Sequence, residues 1–288
     1  MHSESGRRFR TVDLLLLGFL ALASGIALVR IGERPLAAWA LVAYGLIALL
    51  VLLLTARPAS GPVGRVVREI YPLLLVVPIY SSLDLLNGIG QIRVHDDLVR
   101  HWERLLFGAE VSRVWWQQHG SRFWSVVFHA SYFSYYIIIP LPLAWFALTG
   151  DLVSLRRSVL IIFSTFLVCY VCFLLFPVAG PYYEFARPAT WFINNGPARL
   201  VYAVLSTGSS YGAAFPSSHV AATVAAAVAG WLGSRKLGII LTIPTILLTI
   251  GVVYCQMHYA VDALAGVAVG GFMAWGFRRG EDGRTVGR

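Results

Sequence analysis

Hydrophobic residues in this chain come in long runs separated by short arginine-bearing breaks. A helix needs about 20 apolar residues to cross roughly 30 Å of hydrocarbon. Runs of that order lie near 13–30, 36–55, 71–90, 124–148, 157–178, 214–233, 237–257 and 259–277. The pattern predicts an all-α integral membrane protein of about eight transmembrane helices. The third run is the least regular, with Asp84 and Asn87 near its end, and the last two nearly touch at Met257-His258. Arg7, Arg8 and Arg10 precede the first run as in a signal peptide, yet no small-residue cleavage site stands before Arg30, so a retained first helix is expected.

Two connections exceed a turn, residues 91–123 and 179–213, and function is expected to concentrate there. In the first, Leu98, Trp102, Leu105 and Leu106 recur at helical spacing, and Trp115 and Trp116 follow. An interfacial helix with an aromatic belt fits, as does a loop lying against the bundle. The alanine-rich run 221–229 reads as a close-packing helix face.

Composition agrees: 58% of the 288 residues are hydrophobic and 13% charged, too few charges for an ordinary soluble domain. The net charge of +9 is dispersed, which argues against a nucleic-acid surface and for a topology signal. Placing the N-terminus in the cytoplasm puts fourteen of the 23 basic residues on inside segments, so both long connections face outward. Cys169, Cys172 and Cys255 have no companion set for zinc and are expected to be buried free thiols.

An ionisable side chain at a membrane helix end needs water or a partner. Three such groups stand out: His219, His258 and Asp262. His219 follows Pro216-Ser217-Ser218 at the start of one run, and His258 lies 39 residues on, about two crossings later, returning both to the outer face. Asp262, four residues past His258, is expected to hold its imidazole if the last helix begins at Met257. A carboxylate-oriented histidine is a fixed-tautomer nucleophile or base. The helix start adds free N–H groups, and Ser217 and Ser218 add hydroxyls, a set suited to phosphoryl transfer. A capped helix beside a packed polar pair is the alternative reading of the same residues.

Phe215-Pro-Ser-Ser-His219 and His258-Tyr-Ala-Val-Asp262-Ala-Leu-Ala-Gly266 resemble the second and third signatures of the type 2 phosphatidic acid phosphatase superfamily. Within it the chain is most similar to the branch with inositol phosphorylceramide synthases. The resemblance implies a six-helix catalytic core over 71–277, with residues 1–70 an added helix pair and 278–288 a cytoplasmic tail. It implies that His258 attacks phosphorus, Asp262 orients it and His219 protonates the leaving group. It also implies phosphate binding by Ser217 and Ser218, and no metal or other cofactor. The implied substrate is a membrane lipid phosphate, with water or an alcohol such as inositol as acceptor, at the extracytoplasmic face of a bacterial plasma membrane.

The departures narrow this reading. Gly180 stands where the first signature has lysine, Val252 where the hydrolytic third signature has arginine, and Ser218 where glycine is usual. Arg187 of Arg187-Pro188 is then the first candidate for the phosphate and Arg199 the second, with Tyr182 and Tyr183 as hydroxyl donors. His129 and the group Tyr132, Tyr135 and Tyr136 are candidates to line a headgroup cavity. Two rival classes are a transporter or channel with a His/Asp proton relay and an inactive scaffold.

Overall fold

The computed structural model describes residues 9–56 and 59–279, so Arg7, Arg8, Arg57, Arg284, Arg288 and most of the expected tail lie outside the described residues. The described chain is helical, with one isolated bridge between Val178 and Ala213. In order the helices are α1 Thr11–Arg30, α2 Ala37–Ala56, α3 Gly61–Leu74, α4 Val76–Asn87, α5 Asp96–Phe107, α6 Val111–Gln118, α7 Arg122–Phe133, α8 Tyr135–Ile138, α9 Pro140–Thr149, α10 Leu152–Leu175, α11 Pro181–Glu184, α12 Thr190–Ile193, α13 Gly196–Gly208, α14 Ser218–Gly233, α15 Arg235–Tyr254 and α16 Ala260–Gly276.

Six stretches are long and apolar enough to cross a membrane: α1, α2, α3–α4, α7–α9, α10 and α15. The remaining two expected spans, α14 and α16, are shorter, at 16 and 17 residues. At 1.5 Å per residue they reach about 25 Å, a turn or more short of the hydrocarbon thickness. The third span begins at Gly61, ten residues earlier than the apolar pattern suggests, and breaks at Leu75 just after the internal Pro72. The fourth breaks at Ser134 and again before Pro140, where proline removes a backbone donor.

The most buried span is α10, packed against α1, α3, α9, α14 and α16. Its polar residues fit a dry interior because Ser158, Ser164 and Thr165 return their hydroxyls to carbonyls three or four residues back. The alanine-rich face of α14 meets α16 at backbone distance. A Cβ on Gly266 would lie 2.7 Å from the Ser217 carbonyl oxygen, and one on Gly270 would lie 2.3 Å from that of Ala221. Only small residues allow this approach, and it carries the start of α14 alongside the start of α16.

The two long connections are largely helical. Residues 91–123 form two helices, α5 and α6, and 179–213 form three short ones. Leu98, Leu105 and Leu106 of α5 are exposed as an interfacial helix requires, but its buried face is Asp96, Val99 and Glu103. Trp116 is no belt anchor: it is buried, and its indole N–H donates to Gln256 Oε1 at 2.8 Å. Cys169 and Cys255 are buried free thiols, while Cys172 is half-buried.

Candidate active site

The two motifs meet at one end of the bundle, where the imidazoles of His219 and His258 lie 5.8 Å apart between ring centroids. Ser217 is the N-cap of α14, its hydroxyl accepting from Val220 N and its own N–H donating to the Asp262 carbonyl at 3.0 Å. That bond ties the first motif to the second. His219 follows in the first turn, its Nε2 3.0 Å from the Tyr132 hydroxyl and its ring packed against Tyr132 and Tyr135.

His258 reaches Asp262 by a route the sequence does not suggest. The last helix begins at Ala260, so His258 is not on it; the preceding turn does the work. Gln256 adopts a left-handed backbone (φ 60), and the N–H groups of Met257 and His258 both donate to the Val252 carbonyl. The Gln256 side chain is held by Trp116 and by the Ala186 carbonyl, which keeps this strained residue in place. Tyr259 is extended and caps α16, bringing His258 Nδ1 to 3.5 Å from Asp262 Oδ2. Asp262 Oδ2 accepts from Tyr259 N at 2.9 Å. Burial pushes the His258 imidazole down to about 4, against the opposing hydrogen bond to the Ala214 backbone, so it is neutral at ordinary pH.

A cavity of about 40 Å³ opens beside both histidines. Tyr80, Tyr132, Tyr182, Tyr183, Ser209 and Ser210 are the hydroxyl-bearing residues of its wall, and among the described residues no arginine or lysine lines it. The expected candidates divide accordingly. His219, His258, Tyr182 and Tyr183 line the cavity, with Asp262 behind His258. Ser217 and Ser218 are buried beneath it and are not on its wall. Arg187 is exposed, its guanidinium 5.4 Å over the Tyr202 ring, and it is not on the cavity wall. Arg199, the second candidate, is also off the wall.

His129 is buried behind Tyr202, with Nδ1 2.7 Å from the Ser125 carbonyl. Tyr136 is half exposed and packs on Phe133 and Tyr135. Of that group Tyr132 and Tyr135 pack on His219, and Tyr132 alone lines the cavity.

Two residues escaped the sequence reading. Buried Asp96 accepts from Ala179 N, Gly180 N and the Tyr259 hydroxyl at 2.8, 2.8 and 3.0 Å. Buried Glu103 accepts from Ala260 N at 2.8 Å and from Ser112. Burial raises the Glu103 carboxyl, and the N–H bonds from Ala260 and Ser112 oppose it. Their seven-residue spacing on an amphipathic helix was a readable signal, but an acidic stripe opposite leucines is ordinarily taken to face water.

The fold and the site define a helical membrane protein with two histidines and a carboxylate gathered at one end of its bundle. A family model, PAP2 superfamily, matches residues 96–276, more than half of the chain, and the chain belongs to that superfamily of phosphatases and phosphotransferases. No curated protein and no solved structure matches it.

Proposed function

We propose that the protein is a lipid headgroup phosphotransferase working through a phosphohistidine at His258. The observation that carries the reading is a neutral, buried His258 backed by Asp262 and facing His219 across a small hydroxyl-lined cavity. His258 attacks phosphorus, forming an N–P bond as the P–O bond to the lipid alcohol breaks. His219 gives that alcohol its proton, and Asp262 steadies the imidazolium as charge develops. In the second half an acceptor hydroxyl loses its proton to His219, attacks phosphorus and releases His258.

The lining favours a phosphodiester lipid as donor. A phosphomonoester near neutrality carries close to two negative charges, a diester one, and a low-dielectric site without an adjacent cation penalises the second charge. With Gly180 and Val252 at the two missing cation positions and Arg187 off the cavity wall, hydroxyl dipoles from the tyrosines and serines fit the monoanion better. With a diester donor, water as acceptor releases the phosphorylated headgroup, and an alcohol such as inositol makes the site a transferase; a lipid phosphatase would require a monoester donor. Placement in the bacterial plasma membrane with the site outward and both termini inside agrees with the arginine distribution.

The test is a panel of labelled phospholipids and polyprenyl phosphates incubated with purified protein, with and without inositol, in EDTA. The expected result from a labelled diester donor is a released phosphorylated headgroup without inositol and a headgroup–phosphoinositol diester with it, both undiminished by EDTA. Turnover of monoesters alone would overturn the diester assignment, and strict dependence on a divalent ion would overturn the metal-free mechanism.

A further inference from the structure

The interfacial helix α5 presents a polar face to the protein interior, and the backbone groups it binds belong to the candidate site. Asp96 binds the backbone of residues 179–180 and the hydroxyl of Tyr259, the residue after His258. Glu103 binds the first N–H of α16, at Ala260, and fastens its other bonds to Ser112 on α6. Between them Val99 packs with Val178, Ala214, Tyr259 and Val261, and Trp102 stacks on Phe176 and tilts on Phe215. Three segments that adjoin cavity-lining residues, 176–180, 214–215 and 259–261, therefore meet on one face of α5.

We propose that Asp96 and Glu103 are positioning residues: through them α5 sets where His258 stands relative to Asp262 and His219. The role rests on the phosphohistidine reading of the site. Its geometric basis is that His258 lies outside any helix, on a turn whose next two N–H groups, of Tyr259 and Ala260, donate to carboxylates, Asp262 and Glu103, and not to backbone carbonyls. The first N–H groups of a helix lack intrahelical acceptors, and a carboxylate is the strongest acceptor to supply there. Without Asp96 and Glu103, Tyr259 and Ala260 lose two of their anchors, and the His258–Asp262 separation is no longer fixed.

The two carboxylates differ in what can replace them. Glu103 Oε1 takes both N–H donors while Oε2 takes only the Ser112 hydroxyl, which can turn and accept. A glutamine therefore keeps every bond. Both oxygens of Asp96 face N–H donors that cannot reverse, Ala179 on Oδ2 and Gly180 on Oδ1. An asparagine must set its amide against one of them.

The experiment compares Glu103→Gln, Glu103→Ala, Asp96→Asn and Tyr259→Phe with the parent and His258→Ala in lipid nanodiscs. It measures kcat and KM on the accepted donor, and thermal melting as the fold control. Glu103→Gln is expected within about twofold of the parent. Glu103→Ala and Asp96→Asn should lose kcat by about 10- to 100-fold, the range for residues that orient a reacting group, with KM nearly unchanged. Tyr259→Phe, which removes one of three donors to Asp96, should fall between. If Glu103→Ala or Asp96→Asn does not fold, Tyr259→Phe and Glu103→Gln still decide the question. Parent-like kcat in folded Glu103→Ala, Asp96→Asn and Tyr259→Phe, or a raised KM at unchanged kcat in them, would overturn the positioning role while His258→Ala stays inactive. Turnover that survives in His258→Ala would overturn the phosphohistidine reading itself.

Discussion

Carboxylates are buried at both ends of α10, and the two ends treat them differently. At its start, Asp13 of α1 accepts from Arg10, Arg68 and Tyr71, and Glu69 of α3 accepts from Arg10 and Arg156. Each acid there meets arginine, and the network stitches α1, α3 and α10 together. Past its other end, Asp96, Glu103 and Asp262 meet backbone N–H groups, hydroxyls and an imidazole. A carboxylate paired with arginine is neutralised and holds structure. One held only by neutral donors keeps its field, and that field suits an imidazole that must become cationic during reaction.

Removing one acid from each end separates the two uses. Asp262→Asn is expected to lower turnover by about 10³- to 10⁴-fold, as when an orienting carboxylate is lost beside a reacting histidine, with melting little changed. Asp13→Ala should act the other way, costing about 3 kcal/mol through Arg68, which loses its carboxylate, while Arg10 keeps Glu69. Its kcat per folded molecule should stay within about twofold of the parent. A stability loss at Asp262 with unchanged kcat would erase the contrast. The smallest effect concerns pH. His258 is held down to about 4, so the acidic limb of kcat/KM should fall near that value, the nucleophile staying neutral as pH drops from 7 to 5. An imidazole at its ordinary value would already lose about tenfold by pH 5.5, and a limb near 6.5 would contradict the burial account.

Most spans were legible because a membrane helix must satisfy its backbone internally and so announces itself as a long apolar run. The return of His219 and His258 to one end followed from the residue count between them. Local pattern hid the turn before α16, since a left-handed Gln256 has no propensity signature and depends on Trp116, 140 residues away in sequence. It also left α5 open between an interfacial helix and a loop, and gave no sign that Asp96 and Glu103 turn inward or that Trp102 packs on Phe176 and Phe215. The place of Arg187 off the cavity wall and over Tyr202 is likewise tertiary. Tyr132 was in view only as one of three tyrosines, because which of them bonds His219 Nε2 depends on the packing of α7 against α14.

The central claim is a covalent bond between phosphorus and His258. Rapid quenching into alkali with a phosphorus-labelled donor, followed by peptide mass spectrometry, tests it directly. The account predicts an acid-labile, base-stable adduct on His258 that vanishes in His258→Ala and accumulates when acceptor is withheld. A full-strength adduct in His258→Ala, or one mapped to another residue, would contradict it.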